Sequence, residues 1–247
     1  MSAAGTLVAV GLGPGDPELI TLKALRALQS ARAVAYFAKA GNRSNALAIA
    51  AAHLRSDVPQ LPLLYPVTTE LDHKSDAYRR AICDFFDQSA ATLARELDRG
   101  VTVAVICEGD PLFYGSYMHL HERLARHYRT EVVAGVTGMS GCWSSVGAPI
   151  AQGDDVFTVL PGTLAEEELA RRIRDTDAAV IMKVGRNLPK VRRALARTGR
   201  LDRALYVERG TMNDAKAMRL ADKADDVAPY FAIVLVPGWE TRPEAGT

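Results

Sequence analysis

The chain has few cysteines, no excess charge of either sign and no long apolar run. Its three cysteines, Cys83, Cys107 and Cys142, are far apart and form no CxxC pair, so they predict buried free thiols rather than a disulfide framework or a zinc site. The formal charge of +1 lacks the strong basic bias typical of nucleic-acid binding. No apolar run approaches the ~20 residues of a membrane span, and no secretory signal is recognisable. We expect a cytoplasmic protein with neither nucleic acid nor membrane as a partner.

Common nucleotide-binding and hydrolase motifs are also missing. The glycine-rich loop at residues 11–16 has Asp16 where a dinucleotide fingerprint needs a small residue, and Pro14 removes an amide. No Gly-Lys-Ser/Thr ending follows, so the loop is not a P-loop. Ser140 resembles the serine of a nucleophile elbow, but Cys142 replaces the required glycine and all histidines precede Ser140. The loop at residues 11–16 therefore fits a tight structural turn as well as a ligand contact.

The histidines do not form a metal-binding pattern. His119 and His121 are two residues apart, which on a helix places them on different faces, unlike the i, i+4 pair of a helical metal site. No cluster of carboxylates accompanies them in the sequence. We predict no metal.

The first half of the chain alternates between strand and helix patterns, which is typical of a parallel α/β sheet. Apolar runs predict strands at residues 6–12, 33–37, 60–64 and 101–106. Amphipathic patterns predict helices at residues 19–30, 46–54 and 74–98. This organisation predicts one α/β domain over residues 1–147.

A glycine- and proline-containing segment at residues 147–154 is the best candidate for a linker. The following residues, 148–247, predict a second α/β domain. Its strands are predicted at residues 156–160, 178–183, 204–208, 218–220 and 231–236, and its helices at residues 165–175 and 188–198. Short turns around residues 210–214 indicate that this domain is partly antiparallel. The last residues, 242–247, are expected to form a mobile tail.

The most informative segment, residues 108–116, has the sequence Glu-Gly-Asp-Pro-Leu-Phe-Tyr-Gly-Ser. It directly follows the strand predicted at residues 101–106, and ligands tend to bind at such strand ends. Gly109 lets the backbone approach a bound molecule, and Asp110 supplies an acceptor. With the loop at residues 11–16 and the small residues at 134–139, it predicts a ligand cleft built from loops of two domains.

Five segments in this order resemble the S-adenosylmethionine-dependent tetrapyrrole methyltransferases of corrin and sirohaem synthesis, over essentially the whole chain. They are residues 10–22, 109–115, 135–141, 181–185 and 208–211. The resemblance implies two α/β domains of the tetrapyrrole methyltransferase type, with the active site in the cleft between them. It also implies S-adenosyl-L-methionine as cofactor, S-adenosyl-L-homocysteine as product, and a homodimer.

Within that family, residues 65–70, 108–116 and 182–187 are most similar to members that methylate C20 of precorrin-2 to give precorrin-3A in cobalamin synthesis. The cobalt-bearing substrate, cobalt-factor II, is the alternative that the residues leave open. Methyl transfer to ribosomal RNA or a translation factor, dinucleotide oxidoreduction and non-catalytic binding are the other classes considered. The near-neutral charge disfavours RNA, and Asp16 disfavours a dinucleotide.

The resemblance also implies the residues of the site. Cofactor-binding positions fall on Pro14, Glu108, Gly109, Asp110, Phe113, Thr137, Gly138, Met182 and Gly210. Many relatives have glycine at position 108 and proline at position 134, where this chain has Glu108 and Ala134. The role of the Glu108 side chain and the identity of a catalytic residue stay unassigned.

We hypothesise that a set of polar and apolar residues binds the tetrapyrrole macrocycle of the substrate. They are Gly15, Asp16, Tyr114, Tyr117, Met139 and Trp143. Asp16 is the candidate for contact with the pyrrole nitrogens, although its position equally suits a helix cap, and the large side chains equally suit a packed core. The substrate's acetate and propionate groups call for cationic partners. The candidates are Lys39, Arg43, Lys74, Arg79 and Arg80.

Overall fold

The computed structural model describes residues 4–66 and 75–238. The chain divides into two compact units between Gly138 and Met139. This division lies earlier in the chain than the predicted boundary at residue 147. The reason is helix α5 (Gly138–Ser145), whose Cys142 packs against Val180 in the core of the second unit.

Unit 1 is built on a parallel sheet of five strands. The strands are β1 (Thr6–Gly11), β2 (Ala33–Lys39), β3 (Gln60–Tyr65), β4 (Val103–Cys107) and β5 (Arg129–Val133). They lie in the order β3-β2-β4-β1-β5, and every neighbouring pair is parallel. The helices are α1 (Leu22–Ser30), α2 (Asn45–Ala50), α3 (Asp76–Asp98) and α4 (Tyr117–Leu124). The predicted α/β class is confirmed for this unit.

The sheet of unit 1 has a hydrophobic core on each face, because successive residues of a strand point to opposite sides. On one face, Leu7 and Val105 pack in a cluster with residues of α3 and α4. On the other, Val10 and Ile106 pack in a cluster with residues of α1 and α2. The buried strands are continuous apolar runs for this reason, as expected of a parallel sheet covered on both faces.

Unit 2 contains a mixed sheet of five strands. The strands are β6 (Phe157–Pro161), β7 (Ala178–Met182), β8 (Leu205–Glu208), β9 (Lys216–Arg219) and β10 (Ala232–Val236). Their order is β6-β7-β10-β8-β9, in which only β6 and β7 pair in parallel. The remaining helices are α6 (Glu166–Arg174) and α7 (Leu188–Arg197). The predicted partly antiparallel character of this unit is confirmed.

Capping residues account for the later starts of two predicted helices. The helix predicted at residues 19–30 is a short 3-10 turn, Pro17–Leu19, followed by α1, whose first turn is capped by the Thr21 hydroxyl. The helix predicted from residue 74 begins at Asp76, capped by Ser75. Lys74, residues 67–70 of the segment 65–70, and the predicted tail at residues 242–247 lie outside the described residues.

Two elements, β5 and α4, were not predicted. β5 is an edge strand whose first four residues alternate between exposed and partly buried, with only Val133 fully buried, so it lacks the apolar run of the central strands. The cysteines also differ in part from the prediction: Cys107 and Cys142 are buried free thiols, but Cys83 on α3 is exposed. Within residues 4–66 and 75–238, no helix combines the length and the apolar character needed to cross a membrane.

Candidate functional site

The carboxyl ends of β1, β4 and β5 are in direct backbone contact. The Gly109 amide donates to the Gly13 carbonyl at 2.7 Å, which forms an antiparallel bridge between the two loops. A Cβ atom on Gly135 would lie 2.1 Å from the Gly109 carbonyl oxygen, and one on Gly11 would lie 2.5 Å from the Gly135 nitrogen. These distances exclude any side chain, so glycine is required where the three strand ends meet.

Asp110 fixes the loop after β4 with both carboxylate oxygens. Oδ1 accepts a hydrogen bond from the Leu112 amide at 2.9 Å. Oδ2 accepts one from the Gly135 amide at 3.1 Å and so joins this loop to the end of β5. Asp110 therefore has a structural role in shaping the loop that was predicted to bind the cofactor.

The same loop holds Tyr114 in an unusual backbone conformation. Tyr114 has a φ of 54° and is 44% exposed, and the left-handed region costs about 1–2 kcal/mol for a residue with a Cβ. Its ring meets the half-buried Phe113 edge-to-face at 4.9 Å. Beyond it, the Ser116 hydroxyl is hydrogen-bonded to the hydroxyl of Tyr65 at the end of β3. The loop is thus anchored on both sides of Tyr114.

Glu108 connects the end of β4 to the first turn of α2. Its carboxylate lies close to the Ala46 backbone and the Asn45 side chain, and both favour its ionised form. Although the side chain is solvent-accessible, desolvation by the surrounding protein raises the pKa of Glu108, while Ala46 and Asn45 oppose that shift.

The first glycine-rich loop contains a side-chain cap. Oδ1 of Asp16 accepts from the Glu18 amide at 2.8 Å and caps the 3-10 turn Pro17–Leu19. The alternative role of Asp16 as a helix cap is thus confirmed, for a shorter helix than predicted. Gly13 has a φ of 81° and Gly15 a φ of 142°, which explains the glycines beside the half-buried Pro14.

Tyr117 lies in the core of unit 1 rather than on a wall. Its side chain is fully buried, and its hydroxyl is hydrogen-bonded to Nδ1 of His121 at 3.2 Å. Burial and the nearby Cys107 raise the pKa of Tyr117 to about 12. On α4, Tyr117 packs in the hydrophobic cluster between the sheet and α3, so it is a core residue.

In unit 2, the predicted cofactor residues also follow strand ends. β7 and β8 both run antiparallel to β10, which lies between them, so their carboxyl ends are at one edge. Met182 ends β7 and is followed by Lys183 with a φ of 55°, and Arg209, with a φ of 50°, follows β8. Gly210 comes next, and a Cβ there would lie 2.7 Å from the Cys142 Sγ. Packing against α5 therefore explains the glycine at this position.

The predicted residues around the start of α5 differ in exposure. Thr137 and Gly138 are half-buried, and a Cβ on Gly138 would find open space. Met139 and Trp143 instead pack against the apolar cluster of unit 2, and the Trp143 ring meets Phe157 edge-to-face at 6.1 Å. Both side chains thus have the core contacts that the sequence left as an alternative.

Sequence reasoning did not find the pairings of Glu108 with Asn45 or of Tyr65 with Ser116. Each joins residues far apart in the chain, and neither has a local sequence signal. The burial of Tyr117 did have one, because Tyr117, Leu120 and Leu124 share the i, i+3, i+7 spacing of an apolar helix face. Among the described residues, no group of three or more His, Cys, Asp or Glu side chains could hold a metal ion.

A family model described as tetrapyrrole (corrin/porphyrin) methylases matches residues 6–224. The chain belongs to this family. It is 62% identical to a precorrin-2 C(20)-methyltransferase of Sinorhizobium sp over 239 residues, which cover 97% of this chain and 98% of the relative. It is 28% identical to a cobalt-precorrin-2 C(20)-methyltransferase of Salmonella typhimurium, over 96% of this chain and 98% of the relative. The X-ray structure of a cobalt precorrin-4 methyltransferase matches with a TM-score of 0.71 at 24% identity, covering 96% of each chain, so the predicted fold type is confirmed.

Proposed function

We propose that this protein transfers a methyl group from S-adenosylmethionine to C20 of metal-free precorrin-2, giving precorrin-3A and S-adenosylhomocysteine. The main support is 62% identity, over nearly the full length, to a relative named as a precorrin-2 C(20)-methyltransferase. The relative named for the cobalt-bearing substrate is only 28% identical over a similar length. This difference favours the metal-free substrate.

The reaction is an in-line displacement that needs close positioning more than acid–base chemistry. S-adenosylmethionine supplies the methyl group on a sulfonium. The methyl–sulfur bond breaks with its electron pair going to sulfur, the bond to C20 forms, and C20 loses one proton. Holding the two reactants aligned can lower the barrier by several kcal/mol. Because C20 of the reduced macrocycle is enamine-like and nucleophilic, we assign no catalytic base.

The proposed cofactor-binding residues of each unit lie at or near the ends of its strands. The glycine backbone at Gly109 and the open space beside Gly138 suit a ligand that approaches the main chain closely. Asp110, with both oxygens bonded to backbone amides, would act by holding this loop in shape. The other proposed members are Pro14, Glu108, Phe113, Thr137, Met182 and Gly210.

The proposed substrate site contains fewer residues than the set predicted from the sequence. Gly15, Asp16 and the exposed Tyr114 lie in loops that follow strands of unit 1. Met139 and Trp143 would add edges of partly packed side chains. Lys39 at the end of β2 and Arg43 in the following connection are the proposed partners of substrate carboxylates, with Arg79 and Arg80 on α3 as further candidates.

The test is a side-by-side assay of precorrin-2 and its cobalt-bearing counterpart with radiolabelled S-adenosylmethionine. We expect faster incorporation of label into the metal-free substrate. Preference for the cobalt form would contradict the substrate assignment, and no incorporation into either would contradict the function.

The ligand class can be tested without the tetrapyrrole. A calorimetric titration should detect binding of S-adenosylhomocysteine and no binding of NAD. Binding of NAD alone would favour the oxidoreductase alternative. The homodimer and the cytoplasmic location remain predictions, and sedimentation equilibrium would measure the first of them.

A further inference from the structure

Tyr65, at the end of β3, is hydrogen-bonded through its hydroxyl to the Ser116 hydroxyl in the loop after β4. We propose that Tyr65 is a positioning residue for methyl transfer, whose hydroxyl holds this loop so that the exposed Tyr114 ring contacts the tetrapyrrole substrate. This role rests on the proposed function for its substrate, but the effect of the hydrogen bond on Tyr114 can be tested without any substrate.

Ser116 occupies the N-cap position of α4 but does not cap the helix. A serine at this position normally accepts a hydrogen bond from a backbone amide of the first turn and so stabilises the helix. The Ser116 side chain makes no such bond. It is paired instead with Tyr65, 51 residues earlier in the chain. The hydroxyl therefore joins the loop to β3 in place of a local helix cap.

The Tyr65 ring is held by aromatic neighbours on β2 and α3. Its centroid lies 4.5 Å from that of Phe85 and 5.8 Å from that of Phe37, against which it stacks at an interplanar angle of 28°. Phe86 meets the same ring edge-to-face at 6.3 Å. Because β2 lies between β3 and β4, the hydroxyl reaches across one strand to the loop that follows β4. A ring fixed in this way can restrain the loop.

Tyr114 needs support from its surroundings because its backbone is strained. A φ of 54° is unfavourable for a residue with a Cβ, and such conformations persist only where neighbouring contacts enforce them. The next residue, Gly115, is packed so closely that a Cβ would lie 2.6 Å from the Pro111 carbonyl oxygen. Ser116 follows directly, so its bond to Tyr65 ties this side of Tyr114 to another strand.

The Tyr114 ring has the exposure and the chemistry of a substrate contact. It is 44% exposed, and an aromatic ring suits offset stacking against a conjugated macrocycle. Because stacking depends on the orientation of the ring, a shift of residues 114–116 would weaken the contact. Tyr65 is also the register partner of Lys39 on β2, the proposed partner of a substrate carboxylate. The same edge of the sheet thus carries both proposed contacts.

The first test needs no substrate. Tyr65→Phe removes the hydroxyl and keeps the packed ring. In protein with carbon-13-labelled tyrosine, the Tyr114 ring resonances, assigned from their loss in Tyr114→Phe, should shift in both Tyr65→Phe and Ser116→Ala. The matched control is Tyr128→Phe, which removes a hydroxyl bonded to Asp98 at 2.8 Å, before the first residue of β5, and should leave them unchanged. Unchanged Tyr114 resonances in either test variant would overturn the proposal.

Steady-state kinetics measure whether the position of the loop matters for the substrate. Tyr65→Phe should raise KM for precorrin-2 about fivefold, the size expected for loss of one neutral hydrogen bond, and change kcat by less than about twofold. Ser116→Ala should act alike, and the double variant should be no worse than either, because both remove one contact. A changed kcat at constant KM, or kinetics like those of the Tyr128→Phe control, would overturn the proposal.

A double-mutant cycle with Tyr114 tests whether Tyr65 acts through it. Tyr114→Ala removes the ring, so the addition of Tyr65→Phe should not raise KM further. Additive effects on KM would show that Tyr65 acts by another route and would overturn the proposal. A wild type that does not methylate precorrin-2, with Tyr114 resonances that shift as expected in the variants, would instead contradict the proposed function.

Discussion

The two units present their strand ends by different structural means. In unit 1, three strand ends touch through backbone atoms at Gly11, Gly109 and Gly135, so glycine is obligatory. In unit 2, Lys183 and Arg209 adopt left-handed conformations immediately after their strands, and side chains remain at both positions. Close backbone contact thus appears in the sequence as a glycine motif, whereas left-handed Lys and Arg residues have no such signature.

The largest effect should follow from adding a methyl group where unit 1 is tightest. Gly135→Ala places a Cβ 2.1 Å from the Gly109 carbonyl, and backbone cannot move aside as a side chain can. We expect the free energy of unfolding to fall by about 3 kcal/mol, the upper range for overpacking, in urea unfolding followed by circular dichroism. Gly138→Ala, with open space at its Cβ, is the control. Equal stability of the two variants would contradict the obligatory contact.

Asp110→Ala should have the next largest effect, because it removes the acceptor of two backbone amides in unit 1. We expect about 2 kcal/mol lower stability and about tenfold weaker binding of S-adenosylhomocysteine in calorimetry. Asp110→Asn retains an acceptor oxygen and should lie between Asp110→Ala and the wild type. Unchanged affinity in Asp110→Ala would remove this residue from the proposed cofactor site.

Gly210→Ala tests whether unit 2 tolerates an added methyl group better than unit 1 does at Gly135. Its added Cβ would meet the Cys142 Sγ at 2.7 Å and the Cys142 Cα at 2.9 Å, so part of the obstacle is a side chain. We expect a loss of about 1–2 kcal/mol. The double variant with Cys142→Ala should be more stable than the sum of the single effects predicts. Strict additivity in urea unfolding would show that the thiol is not the obstacle.

Relief of left-handed strain should produce a smaller effect of opposite sign. Tyr114→Gly and Lys183→Gly each remove a Cβ from a residue with φ near 55°, which should raise stability by about 0.5–1 kcal/mol after the entropic cost of glycine. Leu112→Gly is the control, because this exposed residue lies outside the left-handed region, and it should lower stability. A lower thermal midpoint for both strained positions would contradict the assignment of strain.

The smallest effect is a difference between the units in response to acid. Glu168 on α6 is paired with Arg171 and Arg172, whose hydrogen bonds lower its pKa to about 2. Its stabilising contribution is present above its ordinary pKa and disappears as the pH falls towards 2. Glu108 has a raised pKa because of desolvation, so its contribution is lost as the pH rises through that pKa. NMR titration should place the pKa of Glu108 above that of Glu168, and the reverse order would contradict this contrast.

Much of the fold could be predicted because the central strands are apolar runs. β4 and β10 are buried along their length and β7 up to its last residue, Met182, and each was predicted to within a few residues. The edge strand β5 has polar residues at its exposed positions, so its apolar pattern was too weak to predict a strand. The division between units could not be predicted either, since it depends on which core α5 joins rather than on the linker sequence.

The candidate site was predictable where backbone geometry restricts the residue type. Gly109 and Asp110 were recognised because a tight strand end needs glycine and an acceptor. The Glu108 contact to α2 and the Tyr65–Ser116 pair depend on tertiary structure, so local reasoning could not find them. The burial of Tyr117 is the packed-core alternative that the sequence left open, and its spacing with Leu120 and Leu124 on the buried face of α4 accounts for it.

The position of the transferred methyl group tests the proposed function most directly. The wild-type protein is incubated with precorrin-2 and S-adenosylmethionine carrying carbon-13 in its methyl group, and the product is examined by NMR. We predict a single new labelled methyl group on C20. A label on any other carbon, or an unlabelled macrocycle, would contradict the proposal.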